Sequence, residues 1–307
     1  MGSRITGWGA ALPEKVLTNH DLEGWLDTND QWIVERTGIS ERRVGGVTSD
    51  LAVQAGQAAL SRAGRSPGDV DALILATSTP DQTVPATAPT VQELLGLDCG
   101  AFDVNAACSG FVYGLVVAHG MVAVGHRCVL VVGADALSRI TDWDDRGTAI
   151  LFADGGGAVV LEADDEDHLL GWDLASDGST RDLLYADHGS TIVMDGPEIF
   201  RKAVRVVVES GERALERAGV TADELALVVP HQANQRIIDS AARRLGVPDG
   251  KVVSIIARTG NTSAGSIPLA LVQAADDGRL ADGDLVLLVG FGAGMTAASA
   301  VVRWSAP

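Results

Sequence analysis

Residues 200–219 alternate apolar and charged side chains with helical spacing. Phe200, Ala203, Val204, Val207, Gly211, Ala214 and Leu215 fall on one stripe, and Arg201, Arg205, Glu209, Glu212, Arg213 and Glu216 take the other faces. That is the pattern of a helix laid on a core. Gly219 follows, and a glycine readily adopts the left-handed backbone that ends a helix. Elsewhere the pattern shortens to apolar runs at 70–75, 128–132, 225–230 and 286–289, interrupted only by Asp71. Such runs predict strands buried on both faces between layers of helices. Alternation of the two patterns predicts an α/β fold.

The chain repeats itself. Ala59-Leu60-Ser61-Arg62-Ala63-Gly64 resembles Ala214-Leu215-Glu216-Arg217-Ala218-Gly219. The same interval carries the apolar run at 70–75 onto 225–230, and Cys108-Ser109-Gly110 onto Ser263-Ala264-Gly265. A slightly longer interval relates Val129-Leu130-Val131-Val132-Gly133 to Val286-Leu287-Leu288-Val289-Gly290. A near-constant interval across several elements predicts duplication. We expect two α/β halves, 1–160 and 161–307, about a pseudo-twofold axis that gathers equivalent loops at one central site.

Composition narrows the function. A chain of 307 residues with 46% hydrophobic content is long enough for a large core. A net charge of −18 argues against nucleic acid as a partner. No apolar run approaches the ~20 residues of a membrane span, and no signal-peptide pattern opens the sequence. Met1-Gly2 with Thr6 formally fits a myristoylation pattern, but Arg4-Ile5-Thr6-Gly7-Trp8-Gly9 reads better as a first strand. Cys99, Cys108 and Cys128 have neither disulfide-framework nor metal-site spacing, which fits a reducing cytoplasm. Gly290-Phe291-Gly292-Ala293-Gly294 lacks the third spaced glycine of a dinucleotide loop. We therefore expect no metal and no bound cofactor.

Three segments carry chemistry. Cys108 sits in Val104-Asn105-Ala106-Ala107-Cys108-Ser109-Gly110-Phe111, where a strand gives way to a helix. The exposed N–H groups at a helix start favour thiolate, so Cys108 is expected to be a nucleophile. His231 follows an apolar strand in Pro230-His231-Gln232-Ala233-Asn234, and Asn261 lies in Gly260-Asn261-Thr262-Ser263-Ala264-Gly265. A cysteine, a histidine and an asparagine in separate loops point to acyl transfer.

These stretches, in this order, resemble β-ketoacyl-acyl-carrier-protein synthase III of the thiolase-fold superfamily. Asp27-Thr28-Asn29-Asp30-Gln31-Trp32-Ile33, Arg36-Thr37-Gly38-Ile39, Asp145-Arg146-Gly147-Thr148 and Phe152-Ala153-Asp154-Gly155 add to the likeness. The resemblance implies a thiolase-like fold of αβαβα layers. It implies decarboxylative condensation of an acyl-coenzyme A primer with malonyl-acyl carrier protein, through an acyl-Cys108 intermediate, at the start of fatty-acid synthesis. His231 and Asn261 would donate to the enolate oxygen, and the backbone N–H groups of Cys108 and Ala293 to the tetrahedral oxyanion. Thr28, Trp32, Arg36, Arg146 and Asn234 would bind coenzyme A. Gln232, Ala233, Asn234, Gln235, Arg236, Arg201, Arg243 and Arg244, with Lys202 nearby, would dock the acidic acyl carrier protein. Val84 would close the acyl pocket from a partner subunit and, being smaller than an aromatic residue, admit branched or medium-length primers. A homodimer paired near 101–104 is implied as well. The stretch 171–194 is shorter than in typical members, which leaves primer choice and carrier open. Two other readings stay open: a priming ketosynthase or acyltransferase of polyketide-type metabolism, and a catalytically silent partner subunit.

Overall fold

The computed structural model describes residues 2–305; Met1, the first residue of the acylation pattern, lies outside them. The first sheet holds β1 (Gly2–Ala11), β2 (Ala72–Ala76), β3 (Gly100–Val104), β4 (Cys128–Ala136) and β5 (Asp154–Asp164), in the spatial order β1-β5-β4-β2-β3. The second holds β6 (Leu169–Ser176), β7 (Leu227–Pro230), β8 (Leu285–Gly292) and β9 (Thr296–Arg303), in the order β6-β9-β8-β7.

The two orders are the same. β2 lies parallel to β4 and to the edge strand β3, as β7 lies parallel to β8, and the pairs β1–β5, β5–β4, β6–β9 and β9–β8 are antiparallel. The fifth strand of the second sheet is reduced to one parallel bridge, Val228 to Val252. The sheets part at 165–168, so the division expected at 160 falls inside β5.

Five helices supply the layers. α1 (Thr48–Ala63) packs on β1, β4 and β5, and α4 (Gln235–Arg244) packs on α3 (Gly196–Ala218), which covers β6, β8 and β9. α2 (Gly110–Ala123) and α5 (Ser266–Asp276) each touch both sheets and form the middle layer. The main core joins both halves through Phe111, Leu115, Val131, Ile267, Leu271 and Leu288. Together these make the αβαβα arrangement. Burial at this scale, with ~25 cal/mol per Å² of apolar surface, dominates the stability of such a chain.

The duplication extends to the caps. α1 and α3 both end on a glycine at φ 65°, ψ 30°, Gly64 and Gly219. Each is followed by a capping box, Ser66 with Asp69 and Thr221 with Glu224. In one place the expected register is wrong by a residue. Ala107 and Ser263 both carry φ 49°, and α2 and α5 begin at Gly110 and Ser266. The counterpart of Cys108 is therefore Ala264, and Ser263 matches Ala107. Local sequence likeness hid this because Cys108-Ser109-Gly110 and Ser263-Ala264-Gly265 differ in where the tight backbone turn falls.

Candidate active site

Cys108, His231 and Asn261 come from three separate loops and line one cavity of about 640 Å³. All three are buried, at 9%, 4% and 5% exposure. Trp32, Arg36, Asn234, Arg236, Leu184, Met194, Ile199, Phe200, Phe291 and Gly292 complete most of its wall.

Cys108 stands in the tight turn Ala107–Ser109 between β3 and α2. Thr296 Oγ1 braces the turn by donating to the Ala106 carbonyl at 2.9 Å. Across from it, a Cβ on Gly292 would come within 2.6 Å of the Cys108 nitrogen, so glycine there leaves that N–H accessible. The expectation of a resting thiolate is overturned. Burial pushes the Cys108 thiol up to about 12, with the Asp135 carboxylate adding to the rise and a bond to the Ser263 side chain opposing it. Raising a thiol from 9 to 12 corresponds to about 4 kcal/mol, whereas a helix N-terminus offers at most ~2 kcal/mol. Burial wins, and the resting group is a thiol.

Asp135 is the buried residue that the sequence hides. It projects from an otherwise apolar β4 at 0% exposure. Its Oδ1 accepts from Thr77 Oγ1, Ser78 N, Thr79 N and Thr79 Oγ1 at 2.7–3.0 Å, and its Oδ2 from Ala264 N at 3.0 Å. Burial still pushes its carboxyl upward against these bonds. Ser263 bonds both Asp135 and Cys108, so the Asn261 loop is tied to the Cys108 turn.

His231 leaves β7 with its N–H on Val289 O at 2.8 Å, and its ring meets Phe291 edge-on at 5.5 Å. Burial lowers it to about 3, so the imidazole is neutral at physiological pH. Its Nδ1 lies 2.6 Å from Ser266 Oγ. Asn261 is held on both backbone sides by the 151–153 loop, Asn261 N to Leu151 O and Ala153 N to Asn261 O, each 2.9 Å. Its Oδ1 accepts from Ser263 N at 3.0 Å, which turns the side-chain NH₂ outward as a donor. Gly260 makes this approach possible. It adopts φ 66°, and a Cβ there would lie 2.9 Å from the Cβ atoms of Ala153 and Arg42. Arg42 is itself fully buried, and it bonds Ile150 O and Asn19 Oδ1 beneath the loop.

Residues 102–178 match the family described as 3-Oxoacyl-[acyl-carrier-protein (ACP)] synthase III, and residues 215–304 match its C-terminal part. The chain belongs to the 3-oxoacyl-[acyl-carrier-protein] synthase III family. The β-ketoacyl-[acyl-carrier-protein] synthase III of Roseiflexus castenholzii is 51% identical over 323 residues, covering 98% of each chain. That of Rhizobium meliloti is 48% identical over 320 residues, covering 98% of this chain and 99% of its own. The crystal structure of 3-oxoacyl-[acyl-carrier-protein] synthase III from Aquifex aeolicus superposes with a TM-score of 0.97 at 44% identity, covering 99% of this chain and 100% of its own. The priming β-ketosynthase of the R1128 polyketide pathway superposes at 0.96 with 35% identity, covering 100% and 97%. As a synthase III, the chain is an acyl-transferring condensing enzyme of the type that initiates fatty-acid synthesis, and its thiolase-like fold is that of the family.

The remaining expected positions of this synthase divide clearly. Trp32, Arg36 and Asn234 line the cavity; Thr28 and Arg146 are not on its wall. Arg36 and Arg146 both lie over the Trp32 ring, at 4.4 and 4.6 Å from its centre. Arg146 also donates to Asp27 O at 2.7 Å, and Thr28 Oγ1 is buried without a partner. Asn234 is committed to structure: its Nδ2 bonds Arg36 O and its Oδ1 caps α4.

Among the residues expected to dock a carrier, Gln232 is fully buried and satisfied by Pro230 O, Val253 O and Ile255 N. Ala233 is buried in the cavity wall. Neither is available to a docked protein. Arg201, Arg236, Arg243 and Arg244 are exposed, Gln235 is half-buried against Ser254 and Asp239, and Arg236 lies over Phe200 at 5.1 Å. Arg201 pairs with Glu198. Ala293 opens the turn after Gly292. Val84 is 83% exposed and touches no part of the cavity of its own chain. Among the described residues no group of three or more metal-ligating side chains is arranged around an ion, and no helix is long and apolar enough to cross a membrane.

Proposed function

We propose that this enzyme condenses an acyl-coenzyme A primer with malonyl-acyl carrier protein through an acyl-Cys108 intermediate. The observation that carries the reading is the convergence of the buried Cys108, His231 and Asn261 on one cavity whose wall also includes Trp32 and Arg36. Cys108 sulfur bonds the thioester carbon, the carbon–sulfur bond to coenzyme A breaks, and the thiol proton leaves with coenzyme A. Malonyl thioester then loses carbon dioxide. The enolate oxygen accepts from His231 Nε2–H and from the Asn261 amide, two donors in a site sheltered from water. The carbanion attacks acyl-Cys108, with the tetrahedral oxygen on the N–H groups of Cys108 and Ala293. Collapse releases the β-ketoacyl carrier, and Cys108 regains a proton. His231 suits the donor role because burial keeps it neutral. The route uses two thioesters and no resident cofactor.

Trp32, Arg36 and Arg146 form the coenzyme A face in this reading. Arg201, Arg236, Arg243 and Arg244 form a basic face for an acidic carrier, offsetting the acidic surface elsewhere. β3 is the open edge of the first sheet and carries Phe102 at 37% exposure, which supports pairing with a second copy. Such a dimer would let Val84 reach the partner's acyl pocket and admit branched or medium-length primers. No compartment other than the cytoplasm is needed for these substrates. A polyketide-priming role has lower identity behind it, 35% against 44–51% for the synthase III relatives named above.

Intact-mass spectrometry with a panel of acyl-coenzyme A thioesters tests the reading. A single acyl adduct that disappears in Cys108→Ala, followed by carbon dioxide release on adding malonyl-acyl carrier protein, is expected. No adduct with any thioester would overturn acyl-coenzyme A priming and revive the silent-subunit alternative.

A further inference from the structure

Ser266 is the first residue of α5, 1% exposed, and belongs to neither of the two donors assigned above. Its Oγ meets two groups. Gln232 N–H lies 3.3 Å away, and His231 Nδ1 lies 2.6 Å away. The backbone N–H can only donate, so Oγ accepts from it. The hydroxyl proton then needs an acceptor, and His231 Nδ1 is the acceptor bonded to Oγ among the described residues. The reverse arrangement, with Nδ1–H donating to Oγ, would leave a hydroxyl proton unpaired in a closed site, which folded proteins avoid.

We infer that Ser266 is a positioning residue that fixes His231 in the Nε2–H tautomer, with its one proton facing the cavity and its Nδ1 occupied. The ring is gripped on a second side by the edge-on contact with Phe291 at 5.5 Å. The Gln232 side-chain amide donates to Pro230 O and accepts from Ile255 N, which anchors the residue whose backbone N–H orients the serine hydroxyl. The chain Gln232 N–H to Ser266 O–H to His231 Nδ1 thus transmits a fixed backbone direction to a side-chain proton. A histidine so wired is a donor and cannot accept the Cys108 proton at Nε2. This deepens the reading of His231 as an enolate donor and rests on it for its catalytic consequence; the tautomer itself does not.

The test uses the full-length enzyme with ¹⁵N-labelled histidine, its His231 signals identified by their loss in His231→Gln. Nitrogen shifts at neutral pH are expected to report a protonated Nε2 and an unprotonated Nδ1. In Ser266→Ala both tautomers should appear. The rate of malonyl-thioester decarboxylation should fall about tenfold relative to the rate of Cys108 acylation, less than the ~10²–10³ of deleting a donor outright. Ser266→Thr, which keeps the hydroxyl, should restore both readouts. A protonated Nδ1 in the wild type would overturn the inference. So would a Ser266→Ala enzyme with an unchanged tautomer and an unchanged ratio of the two rates. If the tautomer is as inferred but His231→Gln decarboxylates normally, the enolate-donor reading falls and the assignment of Ser266 stands.

Discussion

Replacing His231 by glutamine should change how stability depends on pH, and the size of the change follows from burial. The folded enzyme holds His231 at about 3, against 6.5 for an ordinary histidine. The folded-state value is depressed, so between those limits the unfolded chain binds a proton that the folded chain refuses. The penalty is absent well above pH 6.5, grows as the pH falls through it, and stops growing below 3. At pH 5 almost every unfolded chain is protonated at this site, and the difference in proton binding comes to about 2 kcal/mol. The figure hardly depends on the folded value so long as that value lies below ~4, because the unfolded chain sets it. Urea unfolding of wild type and His231→Gln at pH 8 and pH 5, at one protein concentration, measures it. Wild type should lose about 2 kcal/mol more than the variant between the two pH values. Whatever the substitution costs in packing cancels, since it is present at both. Equal losses in the two proteins would refute the claim that His231 is buried neutral.

Three other outcomes are expected. Asn261→Ala should keep forming the acyl-Cys108 adduct while malonyl decarboxylation drops by ~10²-fold or more, as for loss of one aimed donor; stopped-flow release of carbon dioxide separates the steps. Gly260→Ala should lower the melting temperature and decarboxylation together, because its φ is 66° and its Cβ would sit 2.9 Å from two neighbours, a strain of roughly 1–3 kcal/mol. Reversing the charges of Arg243 and Arg244 should raise KM for the malonyl carrier several-fold with KM for acyl-coenzyme A unchanged, and high salt should narrow the gap.

Much of this molecule is legible in its sequence. The apolar runs at 128–132 and 286–289 become β4 and β8, and the twin Ala-Leu-x-Arg-Ala-Gly segments become matched helix ends, because both signals are local and hydrophobic burial amplifies them. The three catalytic candidates sit in loops whose motifs survive reading one at a time. What stays hidden depends on three-dimensional surroundings. The ionisation of Cys108 follows from burial, which no spacing reports. Asp135 looks like a stray polar residue in an apolar strand until the donors from the 77–79 and 263–264 loops are assembled around it. Gln232 reads as a docking side chain because it shares a motif with the exposed Arg236, yet its own amide is spent on three backbone groups. In the apolar wall, Ile199 and Phe200 belong to the amphipathic start of α3, whereas Leu184 and Met194 come from a segment with weak periodicity, so only their contacts reveal their use.

The duplicated turns differ in one feature that decides why a chain with two similar halves has a single reactive centre. Asp135 and Gly292 occupy matching places at the ends of β4 and β8, and each faces the N–H of the opposite turn: Ala264 for Asp135, Cys108 for Gly292. In one half the socket is permanently filled by a carboxylate carried on the chain itself. In the other the wall has been shaved to a hydrogen, which in the proposed mechanism leaves room for the negative oxygen that exists only while a bond is changing. On that reading Asp135 is a resident stand-in for the transient charge of the reaction, carried within the same molecule.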